Sequence, residues 1–176
     1  MGKQVTPESV ILIPVPEATP LVHRYRLHYD PSAPANVPEH LTLLYPFLPP
    51  DTISGAVLST LRATFSVVSP FSFTLRQTAW FEQGVLYLAP DPMTPFIELT
   101  QRLSRLFNIL PFEGRYPEPI PHLTIAHDGP QDALAEIAAT ISAQLPIEAI
   151  AQEAWLMIGH NKTGWVLHDR FTFDLT

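Results

Sequence analysis

The 176-residue sequence contains no cysteine, so neither a disulfide framework nor a thiolate zinc site can underlie its fold. Cations are scarce as well. Lys and Arg together number 10 against 17 Asp and Glu, giving a formal charge of −7 and a pI near 5.4. Gripping long nucleic acid takes clustered Lys and Arg, so this charge balance argues against a long-duplex binder. Any action on RNA is expected at an end or on a small fragment. No apolar run approaches the roughly 18 residues of a membrane span. The first apolar stretch is interrupted by Pro14 and Pro16, which argues against a signal peptide. The expectation is a cytoplasmic monomer that does not touch a membrane.

What is present is a globular composition. Hydrophobic residues make up 46% and the mean hydropathy is +0.11, enough for one sizeable core or two small lobes sharing one. The 20 prolines fit many short elements separated by turns. Ser9–Val15 reads as a buried strand stopped by proline, and Glu17 to about Tyr29 as a helix ending at Asp30-Pro31. A loop from Pro31 to Pro38 leads to a strand that closes over Thr42–Phe47. Asp51 or Thr52 is expected to cap a helix with Ile53, Val57, Leu58, Leu61 and Phe65 inward. Phe71, Phe73 and Leu75 alternate as a strand, and a turn near Glu82-Gln83-Gly84 leads to a second strand over Gly84–Ala89. Thr94-Pro95 starts a further helix, cap then proline, with Phe96, Leu99, Leu103, Leu106 and Phe107 as its stripe. Pro111–Pro121 is an irregular connection and Gln131–Leu145 a helix. The end reads as a meander of Glu153–Ile158, Trp165–His168 and Phe171–Leu175, turning at residues 161–164. This is one compact α+β unit with no decisive linker.

Two tetrads organise the chain: His40-Leu41-Thr42-Leu43 and His122-Leu123-Thr124-Ile125. In an extended strand residues i and i+2 share a face, about 7 Å apart. His40 therefore projects with Thr42, and His122 with Thr124, while the leucines face the other way. Two such strands side by side would gather two imidazoles and two hydroxyls in one cleft. A strand histidine next to a threonine is commonly just a half-exposed residue of good β propensity. The repeated leucine, the flanking prolines and a spacing of 82 residues, near half the chain, set this pair apart. Half-chain spacing suggests two lobes related by an approximate two-fold axis on which the tetrads meet.

These residues resemble the 2H phosphoesterases, the 2′-5′ RNA ligase-like proteins, whose hallmark is two His-x-(Thr/Ser)-apolar tetrads about eighty residues apart. Asp30-Pro31, the run from Pro38 to Phe47 and the second tetrad from Pro121 to Ala126 carry the resemblance. It implies a bilobal α+β fold with pseudo-two-fold symmetry: two antiparallel β-sheets backed by helices, and a central groove holding the active site. Residues 1–176 would form a single domain of two intertwined lobes. It also implies activity on 2′,3′-cyclic phosphodiesters, ADP-ribose cyclic phosphates, 2′-5′ linkages or RNA ends, with no metal and no cofactor.

The side chains suit that chemistry. Opening a cyclic phosphodiester needs a base to activate water and an acid to protonate the departing ribose oxygen. One neutral and one protonated histidine supply both near neutral pH. His40 and His122 are the candidate acid–base pair, in either order, and Thr42 and Thr124 the candidate phosphate donors. Tyr45 and Phe47 are candidates for stacking on a base, against the alternative of wall or core packing. Arg115 and Tyr116, in the loop before the second tetrad, could reach a substrate phosphate, against the alternative of a solvated arginine. His127 is expected to point away from the catalytic face, and Glu39 away from His40. His23 and His28 are five apart on a helix, a spacing that does not make a metal site. Two other readings remain open at this level: a relative that binds a nucleotide without turnover, and a reversible 2′-5′ ligase.

Overall fold

The computed structural model describes residues 5–82 and 84–175. Met1–Gln4, Gln83 of the expected Glu82–Gly84 turn, and Thr176 lie outside the described residues. The chain runs through β1 (Glu8–Pro14), α1 (Thr19–Tyr29), β2 (His40–Leu44) and α2 (Gly55–Phe65). There follow β3 (Phe71–Phe81), β4 (Val85–Asp91), α3 (Thr94–Phe107) and β5 (Leu123–Ala126). It closes with α4 (Gln131–Ser142), β6 (Ile147–Ala151), β7 (Glu153–His160) and β8 (Gly164–Thr172). The fold is α+β, with two four-stranded antiparallel sheets ordered β2-β1-β7-β8 and β5-β4-β3-β6. The two tetrad strands occupy equivalent places, each at one edge of its own sheet. This gives the arrangement its pseudo-two-fold character. The edges touch across the groove without pairing into a single sheet, so the tetrads meet across a gap between sheets.

Local sequence explains most boundaries and corrects some expectations. Ser54, and not Asp51 or Thr52, caps α2 by accepting from the Val57 amide; Pro50–Thr52 is instead a 3-10 turn. Another 3-10 turn, Pro16–Ala18, takes the place of the expected first helical residues before α1. Met93 precedes the first helical residue of α3, so Thr94 lies inside the helix and not at its cap. Asn108, left-handed at φ 53°, ends α3, a conformation asparagine tolerates better than most residues. β3 runs on to Phe81, past the expected Phe71–Leu75, because the register shifts between Leu75 and Gln77 and the inward alternation changes phase there. β6 was not anticipated, and the two expected terminal strands are one continuous β8.

The core fills the space behind both sheets. Ile11, Ile13, Leu41 and Leu43 of the first sheet join Leu86, Leu88, Leu123 and Ile125 of the second in one buried cluster. Helix α2 covers β8 and α4 covers β3, each within its own half, but α1 packs on β5 and α3 on β2. Two helices thus back the sheet of the opposite half.

Helix α1 also carries a buried charge cluster. Arg26, 1% exposed, donates to Asp30 Oδ2 from Nε and a terminal nitrogen at 3.1 and 2.9 Å, and to Glu39 Oε1 at 3.2 Å. Glu39 also accepts from Thr19 and bonds His23 Nδ1, and Asp30 accepts from the Ser32 amide and hydroxyl. Burying ions is repaid only by such complete pairing. Arg26→Ala would strand two buried carboxylates, so urea unfolding is expected to show a loss of about 3–5 kcal/mol. A loss under about 1 kcal/mol would mean the cluster is not a structural anchor.

Candidate active site

β1 and β4 set the direction of the tetrad side chains. Thr42 is registered with Leu12 and His40 with Pro14, while Leu41 and Leu43 point into the core. On the other sheet Thr124 is registered with Tyr87, and Leu123 and Ile125 point inward. His122 sits one residue ahead of β5, so only three residues of the second tetrad belong to the paired strand. The two imidazoles are held the same way. His40 Nδ1 lies 2.7 Å from the Pro38 carbonyl oxygen, and His122 Nδ1 2.7 Å from that of Ile120. A carbonyl only accepts, so each Nδ1 carries the proton and each Nε2 is left for chemistry. A small cavity of about 10 Å³, room for one water, is lined by Thr42 and Leu43 of one half and Phe112, Ile120 and His122 of the other. A larger hollow of about 320 Å³ lies between α2 and β8, at the edge of the sheet opposite β2, and contains no tetrad residue.

Both histidines are half-buried. Burial pushes the His40 imidazole down to about 4, and the Arg26 guanidinium and His122 add to the fall. The Pro38 carbonyl and Asp30 oppose it without cancelling it. Burial likewise lowers His122, with the bond to Ile120 opposing and His127 assisting. Without substrate, both imidazoles are therefore neutral at pH 7.

The connection from Pro111 to Pro121 lies across this cavity as a strap. The Phe112 amide donates to the Tyr45 carbonyl at 2.6 Å, and the Phe112 ring stacks on His122 with centroids 6.4 Å apart. Phe112 and Glu113 both adopt left-handed backbone, at φ 51° and 57°, which costs non-glycine residues energy.

Of the four candidate substrate contacts, Tyr45 is half-buried with its hydroxyl donating to Glu8 at 2.7 Å and its ring edge-on to Phe112 and Trp165. Burial and that hydrogen bond push its phenol well up. Tyr116 is exposed and lies edge-on to Phe112. Arg115 is exposed and ion-paired to Glu113 on the same strap. Phe47 must be withdrawn as a substrate contact. It is 5% exposed and packs edge-on against Phe107 in the core, because the chain turns after Leu44 and the strand alternation no longer applies.

Sequence reading missed the aromatic enclosure of His122. Phe81 and Tyr87 approach the ring edge-on, at 4.9 and 5.6 Å between centroids, and stack on each other at 4.3 Å. The alternation of β4 puts Tyr87 on the face of Thr124, but the pairing register was needed to see it. Arg26 was missed too. Its spacing of four from Asp30 was visible, but its burial was not.

Comparison with known proteins bears on the family and the fold. The family model described as the 2′-5′ RNA ligase superfamily matches residues 14–163. A Bacillus pumilus protein named "Putative phosphoesterase" is 28% identical over 168 residues, covering 93% of this chain and 95% of the relative. A similarly named protein of Geobacillus sp. (strain WCH70) is 27% identical over 166 residues, covering 93% of this chain and 94% of its own. Among solved structures, Escherichia coli LigT complexed with 3′-AMP superposes with a TM-score of 0.60 at 20% identity, covering 96% of this chain and 99% of that one. The TT0787 protein of Thermus thermophilus superposes with a TM-score of 0.63 at 17% identity, covering 95% and 98%.

The lowered His40 has a consequence for stability. In the unfolded chain it titrates near 6.5 and in the folded protein near 4. Between those values the unfolded state takes up the proton first, so stability is whole above about pH 6.5 and falls as pH drops toward 4. This one group contributes at most about 3 kcal/mol to the fall. Denaturant unfolding across this window is expected to show a shallower decline in His40→Gln than in the parent. An unchanged decline would contradict the buried, neutral imidazole.

Proposed function

Because the chain belongs to the 2′-5′ RNA ligase superfamily of 2H phosphoesterases, we propose that it is a phosphodiesterase that opens a 2′,3′-cyclic phosphate or cleaves a 2′-5′ linkage in a small nucleotide or at an RNA end. The observation that carries this reading is the matched anchoring of His40 and His122, each by Nδ1 to a carbonyl two residues upstream. Both Nε2 atoms are thereby given over to proton transfer.

In the proposed reaction one neutral imidazole removes a proton from water through Nε2 as the oxygen attacks phosphorus. The other, protonated, gives its Nε2 proton to the ribose oxygen as the P–O bond breaks. The product is a phosphomonoester, and the pair ends with its proton on the opposite ring. Thr42 and Thr124 donate to the non-bridging oxygens, where negative charge builds in the transition state. The acid, base and oxyanion donors all come from this chain, so the proposed mechanism calls on no metal.

The pH dependence follows from the lowered histidines. Productive binding needs one proton shared between the pair, and both titrate below 6.5 in the free protein. The profile of kcat/KM is therefore expected to be bell-shaped with its optimum below pH 6.5, falling about tenfold per pH unit above 7. A plateau extending to pH 8 would refute the assignment.

The deciding assay is product analysis on 2′,3′-cyclic nucleotides and a 2′-5′ dinucleotide, with EDTA present. Turnover is expected to survive EDTA and to drop about 10²- to 10⁴-fold in both His40→Ala and His122→Ala. Tight binding without turnover would make the protein a nucleotide binder. Full activity in either variant would overturn the two-histidine mechanism.

A further inference from the structure

The tetrads provide for one phosphate, and their surroundings provide for no other. With one proton on the histidine pair, the site carries a single positive charge, matched to a phosphodiester monoanion. Among the described residues, both arginines near the tetrads are already ion-paired. Arg26 is buried behind β2 with Asp30 and Glu39. Arg115 is paired to Glu113 on the strap. Glu118 adds a second carboxylate to that strap. A third comes from Glu8, whose Oε2 accepts from Tyr45 in the wall. Phe112, which lines the cavity and stacks on His122, lies edge-on to Tyr45, so Glu8 through Tyr45 and Glu113 next to Phe112 both border it. The aromatic mouth is built on Phe112, in the cavity lining, with Tyr45 and Tyr116 each edge-on to it.

Resting on the phosphodiesterase reading above, we infer that this site selects substrates whose only phosphate is the one being cleaved. Glu8 repels a second phosphate, and Glu113 keeps Arg115 from pairing with it. A neutral nucleoside fits against the aromatic mouth. A 5′-phosphate or a pyrophosphate, as in an ADP-ribose cyclic phosphate, meets carboxylates, and the arginine of the strap is already paired. Exposed charges are screened by salt, so this discrimination weakens as ionic strength rises.

The test compares kcat/KM for 2′,3′-cyclic AMP and for the same nucleotide carrying a 5′-phosphate, at low salt and at about 0.5 M NaCl. The expected result is a preference of about tenfold or more for the 5′-hydroxyl form at low salt, shrinking severalfold at high salt. Glu113→Gln removes a carboxylate and releases Arg115, so the ratio should move towards or past unity. Equal or better use of the 5′-phosphorylated form by the parent protein overturns the inference. A ratio indifferent to both Glu113→Gln and salt does so as well. Absence of turnover on both nucleotides counts against the phosphodiesterase reading instead. Selection is then read by calorimetry, where adenosine 2′-monophosphate should bind about tenfold more tightly than adenosine 2′,5′-bisphosphate. Equal or tighter binding of the bisphosphate overturns the inference on that arm too.

Discussion

The buried Arg26 guanidinium is the interaction on which the geometry of the groove depends. It fixes Glu39, the residue before His40, and Asp30, the residue after α1. One turn further along the same helix, the Tyr29 carbonyl accepts from the His127 amide at 2.7 Å, just past β5. A single helical end therefore holds the entry to one tetrad strand and the exit from the other. Close packing supports this junction: a Cβ added at Gly129 would lie 2.9 Å from the Tyr29 ring.

The placement of the tetrads at sheet edges follows from the same economy of design. A central strand has neighbours on both sides, which leaves no room for substrate beside it. The edge strands β2 and β5 are only five and four residues long, and each is backed by a helix from the opposite half. Short, covered edges avoid pairing with other chains while leaving a slot between sheets. The strap closes that slot, and it does so with backbone held in a costly conformation at Phe112 and Glu113.

Much of this was legible in the sequence, because period-two alternation, apolar stripes at helical spacing and proline punctuation survive without knowledge of partners. Both tetrads, the four helices and the order of the main strands follow from those signals. Features that depend on partners did not. Residues Ile147–Ala151 are too short and alanine-rich to declare a strand until β3 is there to pair with them. The register shift after Leu75 hides the second half of β3, since alternation changes phase at a residue that looks ordinary. The burial of Arg26 leaves no local signal because one of its two carboxylate partners lies 13 positions away. Phe47 reads as a neighbour of Tyr45, although the chain has by then left the strand and turned into the core.

The order of strands in the first sheet carries a consequence for the growing polypeptide. β1 lies between β2 and β7, yet Glu153–His160 leaves the ribosome long after Glu8–Pro14. Until then β1 has one unpaired side, and its Ile11 and Ile13 lack much of the core that later covers them. Such an open apolar edge is what nascent-chain chaperones shield. The sheet bearing His40 is begun earliest in synthesis and completed last.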